Sequence, residues 1–502
     1  MKHLFSTLLL LTLTTLSLAQ SMEDKFEQFK QQQNSLFNQF VSNKQAEYDA
    51  FRKRVNEEYA ALMEKSWTEF KGQSAVQSQP KIKVCPINYE ESQEEHQQAT
   101  PMRKDKQIVV DIDSALVIVP QPAPTPEPIA PVQPQEDKQK TQRVSISFYG
   151  TLVSVQFPQS DRLVISSLDE KQLAEHWKQV SNAHYDITLA NVLSVRKSLQ
   201  LCDWGYLRLL QEITTKHYGS SNEAVFMQAF LMTQSGYQVR LGKDASRLYL
   251  LFASQYDLFG YNYFDVDDRH FYALDCDKEN LHICEAFVEK ENALSLQIAQ
   301  TQKLDQEPSP KRTLTSKKGL TASVCVNRNQ IDFYKSYPEG YLNDDVSTAW
   351  VAYANTPLDP KVKNQLYPIF EKKMENKSQR EAADIILNWV QTAFAYEYDE
   401  KVWGGDRVFF ASETLYYPYC DCEDRSILFS RMVRDLLHLP VVLLYYPGHL
   451  ATAVAFEEDV AGDYLAYNGK RYVVCDPTFI GAPVGRTMSG MDNKQATIVV
   501  LQ

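Results

Sequence analysis

Three side chains in the last third of the chain, Cys422, His449 and Asp476, have the types and order that thiol-based acyl transfer requires. Cys422 lies in Pro418-Tyr419-Cys420-Asp421-Cys422-Glu423-Asp424-Arg425-Ser426, and an apolar stripe at Leu428, Met432, Val433, Leu436 and Leu437 follows it. Pro418 ends what precedes, and Asp421 with Asp424 three residues on forms a capping-box-like pair, so the pattern predicts a helix with Cys422 at its first position. The helix dipole favours a thiolate there, whereas Asp421, Glu423 and Asp424 repel it. A nearby cation is what such a thiol needs.

His449 can supply that cation. Val441 to Tyr446 reads as a buried strand, Pro447-Gly448 as a turn, and His449 to Phe456 as the returning strand. His438, by contrast, lies 16 residues from Cys422, roughly 24 Å along a helix axis, and reads as a C-terminal cap. A second hairpin, Tyr464 to Cys475 around Asn468-Gly469, ends at Asp476. An aspartate at a strand end beside a histidine at a strand start can hold the imidazole's tautomer and stabilise its cation. Cys420 is a rival thiol, but two residues before the helix it loses the dipole. A zinc site from Cys420, Cys422, Cys475 and His449 is disfavoured because Cys-x-Cys is a poor tetrahedral clip, so no metal and no cofactor are expected.

Cys, His and Asp in this order, on a helix start followed by antiparallel strands, resemble the transglutaminase-like superfamily with its papain-like fold. The resemblance rests on Asp421-Cys422-Glu423-Asp424, Pro447-Gly448-His449 and Cys475-Asp476-Pro477-Thr478, and it covers about residues 375 to 480. It implies Cys422 as nucleophile, His449 as base and Asp476 as orienter, acting on amide bonds of a protein or peptide substrate through a thioester. Water as acceptor would make the protein a protease or amidase, and an amine would make it a transglutaminase. The superfamily often completes its oxyanion hole with an upstream Trp or Gln, for which Trp389, Gln391 and Trp403 are the candidates. An arylamine-type acyltransferase shares the order of the triad, but its Arg-Gly-Gly lead-in is missing before Cys422. The competing class is a noncatalytic cell-envelope scaffold that keeps the fold.

The elements that must position these residues give an α+β reading. Residues 1–20 carry a basic start, a Leu/Thr-rich run and a small-residue exit, the pattern of a secretory signal without a lipid-anchor cysteine, so the product is expected to be secreted or periplasmic with no transmembrane segment. Residues 21–72 read as one long amphipathic helix, because Phe26, Phe37, Tyr48, Tyr59 and Phe70 recur every 11 residues. That seam could serve a homo-oligomer or an envelope partner. Residues 73–142, rich in Pro, Gln and Glu, read as a linker in which 107–119 could form strands that pack back. Residues 143–299 read as a second α+β domain, 300–319 as a polar linker, and 320–502 as the domain with the chemistry, with β-like patterns at 322–336 and 348–354.

The middle domain reads as a noncatalytic copy of the last. Asn222-Glu223-Ala224 opens an apolar helix as Cys422-Glu423-Asp424 does, and Arg269 to Asp275 resembles Lys470 to Asp476. Asparagine cannot act as a thiolate. The whole chain is 502 residues with 64 acidic and 52 basic side chains, a net charge of -12. It has no basic stripe suited to nucleic acid. Eight cysteines are too few for a disulfide framework, although Cys276 and Cys284 could close a short loop.

Overall fold

The computed structural model describes residues 52–76, 140–159, 162–182, 185–287 and 291–502, the short strands Val109–Asp111 and Val117–Ile118, and scattered positions between 30 and 50. Residues 1–20, expected to be a secretory signal, Cys85 and the seam aromatics before Tyr59 lie outside the described residues.

Two antiparallel sheets with helices packed on them form the molecule. The first contains β1 (Trp67–Lys71), β2 (Val239–Lys243), β3 (Leu248–Ala253), β4 (Tyr263–Val266), β5 (Arg269–Ala273) and β6 (Asn280–Cys284), in the order β1-β6-β2-β3-β5-β4. The second contains β7 (Val441–Tyr446), β8 (His449–Ala455), β9 (Tyr464–Tyr467), β10 (Lys470–Cys475) and β11 (Thr497–Val500), ordered β9-β10-β8-β7-β11. Read from its other edge, the second sheet has the order β11-β7-β8-β10-β9, which is the order β6-β2-β3-β5-β4 of the first. Both runs are antiparallel throughout. A helix leads into each, Asn222–Gln234 before β2 and Cys422–Leu436 before β7. A two-stranded hairpin precedes each helical layer, Thr141–Phe148 with Thr151–Pro158 and Arg312–Thr315 with Thr321–Val324. Even the hairpin turns agree: Asp267 and Asp268 both adopt positive φ, as do Asn468 and Gly469, the type I′ geometry that matches strand twist.

The N-terminal segment is shared between the two sheets. β1 pairs with β6, while Val109–Asp111 and Val117–Ile118 add parallel strands to opposite edges of the second sheet, on β9 and β11. These pairings cover backbone edges that would otherwise recruit other chains. The expectation that 107–119 packs back is met by these two strands.

Several expected boundaries shift. The helix expected over 21–72 stops at residue 63, and Trp67–Lys71 is a strand. Its last turn is fixed by burial: Tyr59 and Met63 lie in this chain's own core, Tyr59 stacks on Trp177 with ring centroids 4.3 Å apart, and Asn56 Oδ1 accepts the Trp177 indole N–H at 3.0 Å. The end of the aromatic seam therefore packs inside the molecule. The segment 300–319 is no free linker. Gln302 and Leu304 are buried, Lys303 N–H bonds Leu199 O, Asp305 N–H bonds Thr151 Oγ1, and residues 312–315 form a strand. The β-like patterns at 322–336 and 348–354 are largely helical, Arg328–Lys335 and Val351–Asn355, since buried aromatic and β-branched side chains suit either state. Cys276 and Cys284 are both free thiols.

Candidate active site

The helix Cys422–Leu436 begins where its sequence dictates. Asp421 is the N-cap in extended backbone, and it exchanges side-chain and backbone hydrogen bonds with Asp424. Unlike a surface helix, almost every residue from Cys422 to Val433 is buried. The helix packs on Gln379–Ala393 and on β8, where Ser426 Oγ donates to Leu450 O at 2.8 Å. Arg425, fully buried, donates to Gln391 O at 3.2 Å and Phe394 O at 2.9 Å, tying the two helices together.

His449 stands first in β8, opposite Tyr446, and both it and Asp476 are buried. Its Nε2 lies 2.9 Å from Asp476 Oδ2. The other carboxylate oxygen, Oδ1, accepts the Thr478 and Phe479 N–H groups at 2.8 and 3.2 Å, so the aspartate is fixed at both ends. Burial works against a charged imidazole, but the Asp476 charge and hydrogen bond, aided by Cys422, outweigh it and carry His449 from 6.5 up to about 10. With Nε2 committed to Asp476, Nδ1 is the nitrogen left for the sulfur. Cys422 itself points its thiol at Glu423 Oε2, 3.2 Å away, so the acidic neighbour that the sequence marked as an obstacle is the thiol's acceptor in this arrangement.

Of the three expected oxyanion donors, Trp389 and Gln391 direct their N–H groups at backbone carbonyls. Trp389 is wholly buried between Phe370 and Phe394 and directs its indole N–H at Leu314 O, 3.4 Å away. Gln391 donates through Nε2 to both Asp476 O and Ala482 O at 3.0 Å and accepts the Gly481 N–H at 3.1 Å. Its amide therefore clamps the loop that carries Asp476, a positioning role. Trp403 is 37% exposed and packs edge-on against Phe409 and Tyr417, with the Arg407 guanidinium over its ring.

A residue that sequence reasoning missed is Tyr396. It pairs with Cys420 in a short parallel ladder, and the Arg425 guanidinium sits 5.1 Å from its ring centre. Burial first, and then the charges of Cys422 and Asp421, push its hydroxyl well above the ordinary tyrosine value. A protonated phenol thus lies within the field of Cys422. Its only sequence signal was two tyrosines, Tyr396 and Tyr398, directly after a helix. The Cys422 amide, at the first helical position, has no intrahelical acceptor.

The other thiols lack these features. Burial raises Cys420, with Arg425 opposing, and burial raises Cys475 well above the usual thiol range. The residues able to hold a cation are acidic: Asp399, Asp421 and Asp424 offer oxygens within 4.8 Å of one another, as do Asp421, Cys422 and Glu423 with their ligand atoms. Part of that charge is met by backbone, since Asp424 Oδ1 accepts the Phe409 N–H and Asp399 Oδ2 the Arg407 N–H, both at 2.9 Å.

The loop after Asp476 is pinned by a close backbone crossing. Gly462 and Gly485 both have positive φ, and a Cβ on Gly462 would fall 2.4 Å from Gly485 Cα, so only glycine permits the contact. No protein-family model, curated protein or solved structure matches this chain.

Proposed function

We propose that the chain is a transglutaminase-like cysteine enzyme that acts on amide bonds of a protein or peptide. The observation carrying this reading is the buried 2.9 Å contact of His449 Nε2 with Asp476 Oδ2 beside a cysteine at a helix start. The thiol proton rests on His449 Nδ1 before the substrate arrives, in keeping with the raised basicity of that ring, and the sulfur of the ion pair forms a bond to the substrate carbonyl carbon. The C–N bond then breaks, the amine leaves with the proton returned by His449, and a thioester remains. Water, or an amine, attacks the thioester carbon while His449 takes its proton. The C–S bond breaks and the thiol is restored. Donors at the developing oxyanion would be the Cys422 amide and the Tyr396 hydroxyl.

Glu423 favours a second reading, a scaffold that keeps the fold without turnover, because its carboxylate accepts from the Cys422 thiol at 3.2 Å. Alkylation with iodoacetamide across pH, with mapping of the modified residue, separates the two. A catalytic pair predicts selective reaction of Cys422 at neutral pH, at least tenfold slower in His449→Ala. Equal, slow reaction of all thiols in both proteins would leave the scaffold reading.

A further inference from the structure

The shared topology of the two sheets allows positions in one to be read onto the other. Ala253 pairs with Phe271 as Ala455 pairs with Tyr472, and Leu251 with Ala273 as Ala453 with Val474. The outward faces agree as well, since Tyr249, Leu251 and Ala253 share one apolar cluster and Ala451, Ala453 and Ala455 share the matching one. Continuing two residues per step puts Arg247 at the place of His449 and Asp275 at the place of Asp476. Asn222, first in its helix, stands at the place of Cys422.

These substituted positions line a cleft of about 1180 Å3, against helix Asp203–Tyr218 and the hairpin of residues 141–158. Asn222 cannot do nucleophilic chemistry and is consumed structurally: its side chain donates to Ser246 O at 3.1 Å and accepts the Leu248 N–H at 2.8 Å. Gln211 holds Asp275 Oδ2 at 2.5 Å, much as Gln391 holds the Asp476 loop. Thus this cleft has none of the reactive groups found at Cys422, His449 and Asp476.

The walls state what would fill it. Arg208 and Arg247 lie 5.9 Å and 5.8 Å from the Trp204 and Tyr249 rings; Arg208 also faces the Tyr149 hydroxyl and the Glu212 carboxylate, and Glu212, Lys216, Glu223 and Asp275 line the same cleft. Arg208 Nε and Gln211 Oε1 are buried without a hydrogen-bond partner, a cost that the fold itself carries. The hairpin contributes Ser145 and Ser147 together with Leu152, an apolar side chain 75% exposed. Arg247, which makes no ion pair among the described residues, Arg208 and an exposed leucine fit a peptide that presents a carboxylate to the arginines and an apolar side chain to Leu152, while the cleft's own Asp275 and Glu223 are engaged by Gln211 and the Ile165 N–H.

We infer that the cleft between helix Asp203–Tyr218 and helix Asn222–Gln234 is a noncatalytic binding site for a carboxylate-bearing peptide. It is independent of turnover at Cys422. The carboxylate has two sources, a peptide C-terminus or an acidic side chain, and both would bind Arg208 and Arg247.

The test uses the full chain carrying Cys422→Ala and fluorescence anisotropy with three fluorescein-labelled hexapeptides: Ala-Leu-Ala-Leu-Ala-Ala with a free C-terminus, its C-terminal amide, and Ala-Leu-Glu-Leu-Glu-Ala amide. The inference expects at least one carboxylate peptide to bind tenfold or more tightly than the neutral amide, against the protein's overall negative charge. Arg247→Ala and Arg208→Ala should each weaken that binding at least fivefold, with unchanged circular dichroism. Preference for the free C-terminus assigns the terminal carboxylate, and preference for the glutamates assigns side chains. Equal binding of all three peptides, no binding, or binding indifferent to both arginine variants overturns the inference. Should the arginine variants fail to fold, Leu152→Asp, at an exposed position, must still repel the carboxylate peptide. The alkylation of Cys422 is read in a separate protein, so its failure leaves this result standing.

Discussion

Replacing Asp476 by asparagine removes one charge and keeps the shape of the contact, since the amide oxygen can still accept from His449 Nε2. In the native protein burial lowers His449 while Asp476 and Cys422 raise it, and the net result is about 10 against an ordinary 6.5. That interval is a free-energy difference on the order of 5 kcal/mol, at about 1.4 kcal/mol per tenfold. The folded value is the raised one, so the stabilisation is complete below pH 6.5 and is lost as pH rises from there through about 10. Urea denaturation at pH 6 to 10 should show stability falling across that window in the native protein. In Asp476→Asn the slope should flatten, because burial is left as the dominant influence and His449 should titrate at or below its ordinary value. Selective 15N labelling of histidine, followed by NMR titration, checks the same point directly. A native His449 that titrates near 6.5, or one that the substitution leaves unmoved, would refute the electrostatic account of the pair.

Other expectations test neighbouring contacts. Gln391→Ala removes three buried hydrogen bonds from the Asp476 loop and should lower stability by about 2–4 kcal/mol in denaturant titration. It should also slow Cys422 alkylation, whereas a purely structural loss would leave the rate unchanged under native conditions. Glu423→Gln removes a like charge beside the sulfur and should speed alkylation at pH 6 to 7 several-fold; a slower rate would mean that the carboxylate assists the thiol. Tyr59→Ala opens the stack on Trp177 and should cost about 3–5 kcal/mol. A near-neutral outcome by thermal melting would show that the N-terminal helix is not part of the core.

Where the sequence was legible, local chemistry decided the structure. Pro360–Met374 and Gln379–Ala393 begin at Asp359-Pro360 and at the Ser378–Glu381 capping box, and the Cys422 helix begins at Asp421. The hairpins around Gly448 and Asn468-Gly469 were readable from turn residues for the same reason. What local chemistry cannot encode was missed. Phe70 continues the 11-residue spacing yet belongs to a strand, because its backbone finds Leu281, more than 200 residues away. Trp389 and Gln391 have the right composition for oxyanion donors, but their N–H groups are taken by carbonyls that only the tertiary fold brings near. Tyr396 enters the site through its ladder with Cys420, and Arg247 matches His449 only through strand register. Pairing across long separations is invisible to a periodicity.

The edge strands Trp67–Lys71, Val109–Asp111 and Val117–Ile118 carry a consequence for synthesis. Ile498 pairs with Val117, so Val117–Ile118 must wait for a strand several hundred residues later before the second sheet can close. Closing loops of that size is entropically slow relative to forming helices. A chain stalled before Thr497 would leave the β7 edge open while Val117–Ile118 stays unpaired, and such bare strands could then join between molecules. Synthesis of Thr497–Val500 is therefore the step that covers both bare strands at once, much as a zip is secured only when its two sides meet.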